Sequence, residues 1–132
     1  MRVLLFFSVL LLPLASFSQN EIKLNDGEKI ILDKRGSYLA KVFTQPGKVY
    51  VTNERFYFIT TKLATKKFEH SIPISNIKSV SKTKYNLKLG VGSANAITLT
   101  LKNGKEMIFV VPKRKKWIAA INKLIWQVRN NI

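Results

Sequence analysis

The sequence predicts a mainly β domain: about seven antiparallel strands followed by one C-terminal amphipathic helix. Three observations carry that expectation. Short apolar runs separated by Gly, Pro, Asn and Asp turn signals fill residues 21–111. After Lys113 the apolar period changes to steps of three and four. The 132 residues, 46% hydrophobic, suffice for one domain and not for two. A lone amphipathic helix needs an apolar surface to cover, and the natural one is the open end of a curled antiparallel sheet.

Each element has its own signal. EIKLNDGEKIIL (21–32) places two short apolar stretches around Asn25-Asp26-Gly27, a turn. SYLAKVF (37–43) is strand-like, and TQPG (44–47) reads as its break. KVYV (48–51) and RFYFIT (55–60) flank Thr52-Asn53-Glu54 and form the clearest hairpin. KKFEHSIPI runs to a break at Pro73, and NIKSVSKTKY (76–85) alternates weakly. AITLTLKNGKEMIFVV (96–111) is a second hairpin, with Asn103-Gly104 suited to a type I′ turn. In the helix Trp117, Ile118, Ile121, Leu124, Ile125 and Val128 form one apolar stripe, and Pro112 stands at its start, where a missing N–H costs nothing.

The first eighteen residues have the order of a secretory signal. Arg2 is the positive region, VLLFFSVLLLPL (3–14) the apolar region, and Ser16 and Ser18 the small residues that a signal peptidase reads. As a helix the apolar run spans ~18 Å, short of the ~30 Å of bilayer hydrocarbon, so a retained anchor is the weaker reading. With no cysteine there is no lipoprotein anchor, disulfide or thiolate metal site. The expectation is signal peptide 1–18, cleavage before Gln19, and a single exported domain over 19–132 with net charge +15.

GKVYVTNERFYFIT (47–60) resembles the hairpin of GRAM domains: a glycine, an aliphatic-aromatic strand, Thr-Asn-x-Arg and a second aromatic strand. IPISNIKSVSK (72–82) resembles their next segment, and ITLTLKNGKEMIFVV followed by a Trp-containing helix resembles their close. The similarity covers roughly residues 28–125, and the order is similar also to bacterial PH-like domains. The resemblance implies the PH-like superfold, a partly open barrel of two near-orthogonal antiparallel sheets with one end plugged by the C-terminal helix. It further implies a non-catalytic module that binds membranes, phosphoinositides or proteins. Two departures stand out. The familiar lipid-binding members act inside cells, and between the first two strands only Lys34-Arg35 offers a basic signature.

The residues themselves argue against catalysis. His70 is the single histidine, and beside Glu69 in a strand the two point to opposite faces. A strand or edge histidine is the simpler reading. A triad would need that histidine plus an orienting acid, and the aspartates, Asp26 and Asp33, both lie near the start. GVGSANA (90–96) lacks the Gly-Lys-Ser/Thr of a phosphate loop and precedes a strand, so it reads as an inter-strand loop. No cofactor or metal is expected.

Charge is the informative feature. Residues 21–69 carry a net +4, whereas residues 70–132 carry twelve basic side chains and one acidic, Glu106, a net +11. The densest run, Lys113, Arg114, Lys115 and Lys116, opens the helix, where the dipole disfavours cations. Helix-start N–H groups and four cations can converge on an anion, with Lys123 further along; the competing reading is a solvated basic surface. Anionic membrane or acidic polymer fits an exported chain better than nucleic acid does, for no nucleic-acid motif is present. A second candidate surface, for an envelope protein, is aromatic. Val49, Val51, Phe56 and Phe58 are expected to fill the barrel, leaving Tyr50 and Tyr57 as an outward cross-strand pair, either shielding the sheet or forming a platform. On a helical wheel centred on Ile121, Val128 lies ~20° away and Trp126 ~140° away, so Val128 is expected inside and Trp126 either under a loop or at a membrane boundary.

Overall fold

The computed structural model describes residues 21–41, 43–83 and 95–131. Residues 1–20, with the proposed signal segment, lie outside these, as do the end of NIKSVSKTKY and GVGSANA as far as residue 94. Seven strands are ordered β1 (Ile30–Ala40), β2 (Phe43–Thr52), β3 (Arg55–Thr60), β4 (Glu69–Pro73), β5 (Ile77–Lys82), β6 (Ala96–Leu101) and β7 (Glu106–Val110). A 3₁₀ turn, Ile74–Asn76, links β4 to β5, and the helix α1 spans Arg114–Arg129.

Hydrogen bonding joins the strands into one antiparallel sheet in the order β4-β3-β2-β1-β7-β6-β5. The two expected sheets are therefore continuous. The bridge is short: Ser37 opposite Val110 and Tyr38 opposite Phe109. Gly36 adjoins it because a Cβ there would lie 2.4 Å from the Val110 carbonyl oxygen. The edges, β4 and β5, do not pair with each other. α1 packs on β5, β6 and the 3₁₀ turn, and so covers the seam between the edges.

Alternation in the β2–β3 hairpin gives the sheet its two faces. Val49, Val51, Phe56 and Phe58 are all fully buried in the core, as their spacing predicted. They meet Ile97, Leu99, Phe109 and, from α1, Trp117 and Ile121. Gly47 permits the close approach of β3, since a Cβ there would lie 2.5 Å from both the Ile59 carbonyl and the Phe58 ring.

Several boundaries differ from expectation for local reasons. TQPG does not break the chain. β2 runs through it, and Pro46 sits just past the last β3 partner, at Gly47, where a missing N–H costs one ladder bond at most. The β1–β2 reversal falls instead near Lys41, whose φ is 60°. At the β6–β7 turn only Gly104 has positive φ, 90°, so the turn is not type I′; Gly104 N–H donates to Leu101 at 2.9 Å. Val128 is 42% exposed rather than buried, because the apolar surface under α1 ends at Ile125.

The Thr-Asn-x-Arg of the hairpin is a clamp. Thr52 Oγ1 accepts the N–H groups of Glu54 and Arg55 and donates to Glu28 Oε2 at 2.6 Å. Asn53 holds the chain entering β1, accepting the Lys29 N–H at 2.7 Å and donating to the Gly27 carbonyl. Arg55 grips Glu28 bidentately, Nε to Oε2 at 2.8 Å and Nη2 to Oε1 at 3.1 Å. Burial alone would raise the Glu28 pKa, but the bonds from Arg55, Thr52 and the Asn25 backbone outweigh it and hold it at about 2, against an ordinary 4.5. The native state therefore binds fewer protons than the unfolded chain between those values. The stabilisation is complete above pH 4.5 and is lost as pH falls toward 2. Glu28→Gln is expected to cost roughly 3 kcal/mol at neutral pH and to flatten the acid limb of a stability–pH profile measured by urea unfolding. An unchanged acid limb would remove Glu28 from this role.

Candidate functional site

The start of α1 is built against the usual rules. Lys113 occupies the N-cap position with φ 54° and ψ 53°, makes no side-chain cap bond, and no acidic residue follows in the first turn. A non-glycine residue in this left-handed region costs about 1–2 kcal/mol, and each exposed cation at a helix start costs a few tenths more, roughly. Around this strained start the fold assembles a cationic concavity of about 450 Å³ lined by Lys82, Asn95, Lys113, Arg114, Lys115 and Lys116. Lys82 arrives from the end of β5 and Asn95 from just before β6, so three chain segments meet there. None of these lining residues is acidic.

The four basic residues are not equivalent. Arg114 is half-buried and donates from Nη1 to the Ala96 carbonyl at 3.2 Å, fixing the helix start to β6. Lys113, Lys115 and Lys116 are exposed, as is Lys82. Lys123 lies outside the concavity. It sits seven residues beyond Lys116, two turns on and on nearly the same side of the helix. Trp126 shares that outward side and is 57% exposed. The structure thus brings Lys115, Lys116, Lys123 and Trp126 to the outward side of α1, leaves Arg114 on the inward side seven residues before Ile121, and adds Lys82 and Asn95, which sequence reasoning missed. Nothing in the local sequence pointed to those two, because the topology brings them in.

Tyr50 and Tyr57 require a correction. They are the expected cross-strand partners, with ring centroids 5.9 Å apart. They are not an exposed platform, being only 1% and 4% exposed. Long neighbouring side chains cover them: the Lys48 ammonium lies 5.3 Å from the Tyr50 ring and the Arg55 guanidinium 5.0 Å from the Tyr57 ring. Arg55 Nη2 also donates to the Lys23 carbonyl at 2.7 Å, tying the N-terminal segment alongside. The Tyr57 hydroxyl donates to Glu69 Oε2, and burial together with that carboxylate pushes its pKa up.

His70 lies in the edge strand β4, its ring 4.6 Å from Tyr38 and stacked at 6.0 Å on Phe68. Burial, with Lys105 adding to it, pushes its pKa down. Its surroundings are those of a packing residue. Among the described residues no group of three His, Cys, Asp or Glu is placed to hold a metal ion.

Comparison with known proteins agrees with this architecture. The family model described as GRAM domain matches residues 16–123. The Vps36 N-terminal PH domain superimposes with a TM-score of 0.66 at 14% identity, over 86% of this chain and 90% of that one. The Slm1 PH domain in complex with phosphoserine gives 0.56 at 16% identity, over 74% and 97%. The C-terminal domain of an unknown protein from Leishmania infantum gives 0.57 at 17%, over 76% and 86%. No curated protein matches the sequence significantly.

The two tryptophans offer a direct check on the outward face. Trp117 is 1% exposed and Trp126 is 57% exposed. In a Trp117→Phe variant the remaining indole is expected to emit at long wavelength and to be readily quenched by iodide. Blue, protected emission would show Trp126 to be packed.

Proposed function

The chain belongs to the GRAM domain family, whose PH-like members are binding modules, and from that premise we propose that it attaches to an anionic membrane surface through the basic start of α1. The observation that carries this reading is the concavity lined by Lys82 and the 113–116 run, in which exposed cations converge at a helix start that would be more stable without them. Lipid headgroup phosphates supply the complementary charge. The phosphoserine bound by the Slm1 PH domain supports an anionic ligand by analogy of fold alone.

Magnitude sets the character of the attachment. Each cation near an anionic leaflet contributes about 1 kcal/mol, so Lys82, Lys113, Lys115 and Lys116 together give on the order of 4 kcal/mol. That corresponds to roughly millimolar affinity. Binding by charge alone is weak and collapses as the Debye length shortens, to about 3 Å at 1 M salt. Trp126, three residues from Lys123 on the outward side, supplies the apolar anchor that such a surface lacks. Among the described residues no helix is long and apolar enough to cross a membrane, so α1 is assigned a peripheral role.

Replacing Lys113, Arg114, Lys115 and Lys116 with Gln is expected to weaken co-sedimentation with anionic vesicles severalfold while the melting temperature stays near the parent's, relief of charge at the helix start offsetting the lost Arg114 contacts. Unchanged vesicle binding would remove this run from the site. Lys113→Gly separates the two consequences further: it relieves the left-handed strain and is expected to stabilise the fold by about 1 kcal/mol while weakening vesicle binding.

We also propose that the domain works outside the cytoplasm, as the charged, apolar and small-residue order of residues 1–18 suggests. Protein recovered from its native host is then expected to begin at Gln19 by intact-mass analysis. A soluble cytoplasmic species retaining Met1 would overturn this part.

A further inference from the structure

A second concavity, separate from the basic one, lies where the β1–β2 hairpin extends past the core. Its volume is about 590 Å³, well within the range of small-molecule sites. Register explains its form. Tyr38 pairs with Gln45 and Ala40 with Phe43, so these four share one face of the hairpin. Tyr38 forms the floor, closed from below by Phe58, Phe109 and His70 at ring distances of 5.8, 5.2 and 4.6 Å. Ala40 leaves room where a larger side chain would fill it. Phe68 forms the far wall. Phe43, on the rim, is 70% exposed.

The wall is a fixed one. Gln45, buried at 5%, uses its whole amide on the 65–66 loop: Nε2 donates to Thr65 Oγ1 at 3.0 Å, and Oε1 accepts the N–H groups of Thr65 at 3.0 Å and Lys66 at 3.3 Å. Both polar atoms of the amide are therefore engaged in holding the loop. What remains facing the space is mostly apolar carbon, bounded by two cations, Lys41 and Lys66, with no carboxylate among the lining residues.

We propose that this cavity takes the tail of a single-chain anionic amphiphile, a fatty acid or lysophospholipid, with its headgroup held by Lys41 and Lys66. Tail and head match the two chemistries of the site: an aromatic and aliphatic trough, and a positive rim. The volume suits one chain rather than a bilayer patch, which distinguishes this site from surface attachment at α1. The inference does not depend on that attachment.

The test uses a dansyl-labelled undecanoic acid as the probe and the purified chain, below the probe's aggregation concentration. Probe emission is expected to shift blue and rise, saturably. Laurate or lauroyl lysophosphatidylglycerol should displace it, and whichever competes better names the natural class of head. Dodecyl maltoside, with the same tail and a neutral head, should compete at least tenfold more weakly, and inorganic phosphate not at all. Ala40→Trp should weaken probe binding at least tenfold. Phe43→Ser, at an exposed rim position where folding is not at stake, should weaken it severalfold, and Lys41→Gln with Lys66→Gln should erase the preference for anionic heads. The variant neutralised at 113–116 should bind the probe as the parent does. Displacement by phosphate alone, or binding indifferent to both Ala40→Trp and Phe43→Ser, would overturn the proposal.

Discussion

A sheet of seven strands that curls without closing leaves its interior open along one line, and the fold rests on how that line is sealed. β4 and β5 follow one another in sequence yet stand at opposite edges of the sheet, joined by Ile74–Asn76. The stripe of α1, Trp117, Ile121, Leu124 and Ile125, covers the gap. Each such side chain contributes roughly 1.5–3 kcal/mol on burial, so the stripe rivals the net stability of about 5–15 kcal/mol typical of a domain. Sealing also decides where charge can be displayed. The helix must begin where β7 ends, beside Lys82 and Ala96, and its other side must face water. One element thus serves packing with one face and presents cations with the other.

The β2–β3 hairpin shows the same economy at smaller scale. Its inward residues, Val49, Val51, Phe56 and Phe58, build the core. Its outward tyrosines are roofed by Lys48 and Arg55, and its turn holds Glu28 and the entry to β1. The Thr-Asn-x-Arg pattern that first suggested the family is therefore a structural device. Its three polar side chains are all bonded within the domain, Thr52 to Glu28, Asn53 to Lys29 and Gly27, and Arg55 to Glu28, Ser71 and Lys23.

Much of the architecture was legible because it rests on local rules. The change of period at Lys113, the alternation in KVYV and RFYFI, and the order of turns fix the strand count, the helix and the core without knowledge of the whole. Failures came where local signals were weak or overruled. Lys41 turns the chain in a left-handed conformation that nothing in its side chain announces, while Gln45-Pro46-Gly47, which looks like a turn, is held extended between β1 and β3. Tyr50 and Tyr57 alternate outward as expected, but alternation cannot show that Lys48 and Arg55 will fold over them. The candidate site divides likewise. The 113–116 run and Trp126 were visible as sequence features. Lys82, Asn95 and the trough behind Phe43 exist only because distant segments meet.

The bridge between β1 and β7 has a consequence for how the chain acquires its structure. β1 to β4 form one meander of neighbours in sequence, and β5 to β7 with α1 form another. The ladder between them consists of Ser37 with Val110 and Tyr38 with Phe109, partners more than seventy residues apart. Closing so long a loop costs entropy before any contact repays it, whereas each meander needs only short closures. Neither meander holds the core alone, since Phe56 and Phe58 of the first pack on Phe109 of the second, so the cost of the long closure is repaid only when the two meet beside Gly36. A side chain at that glycine would act on the joining of the two meanders rather than on the short closures within either.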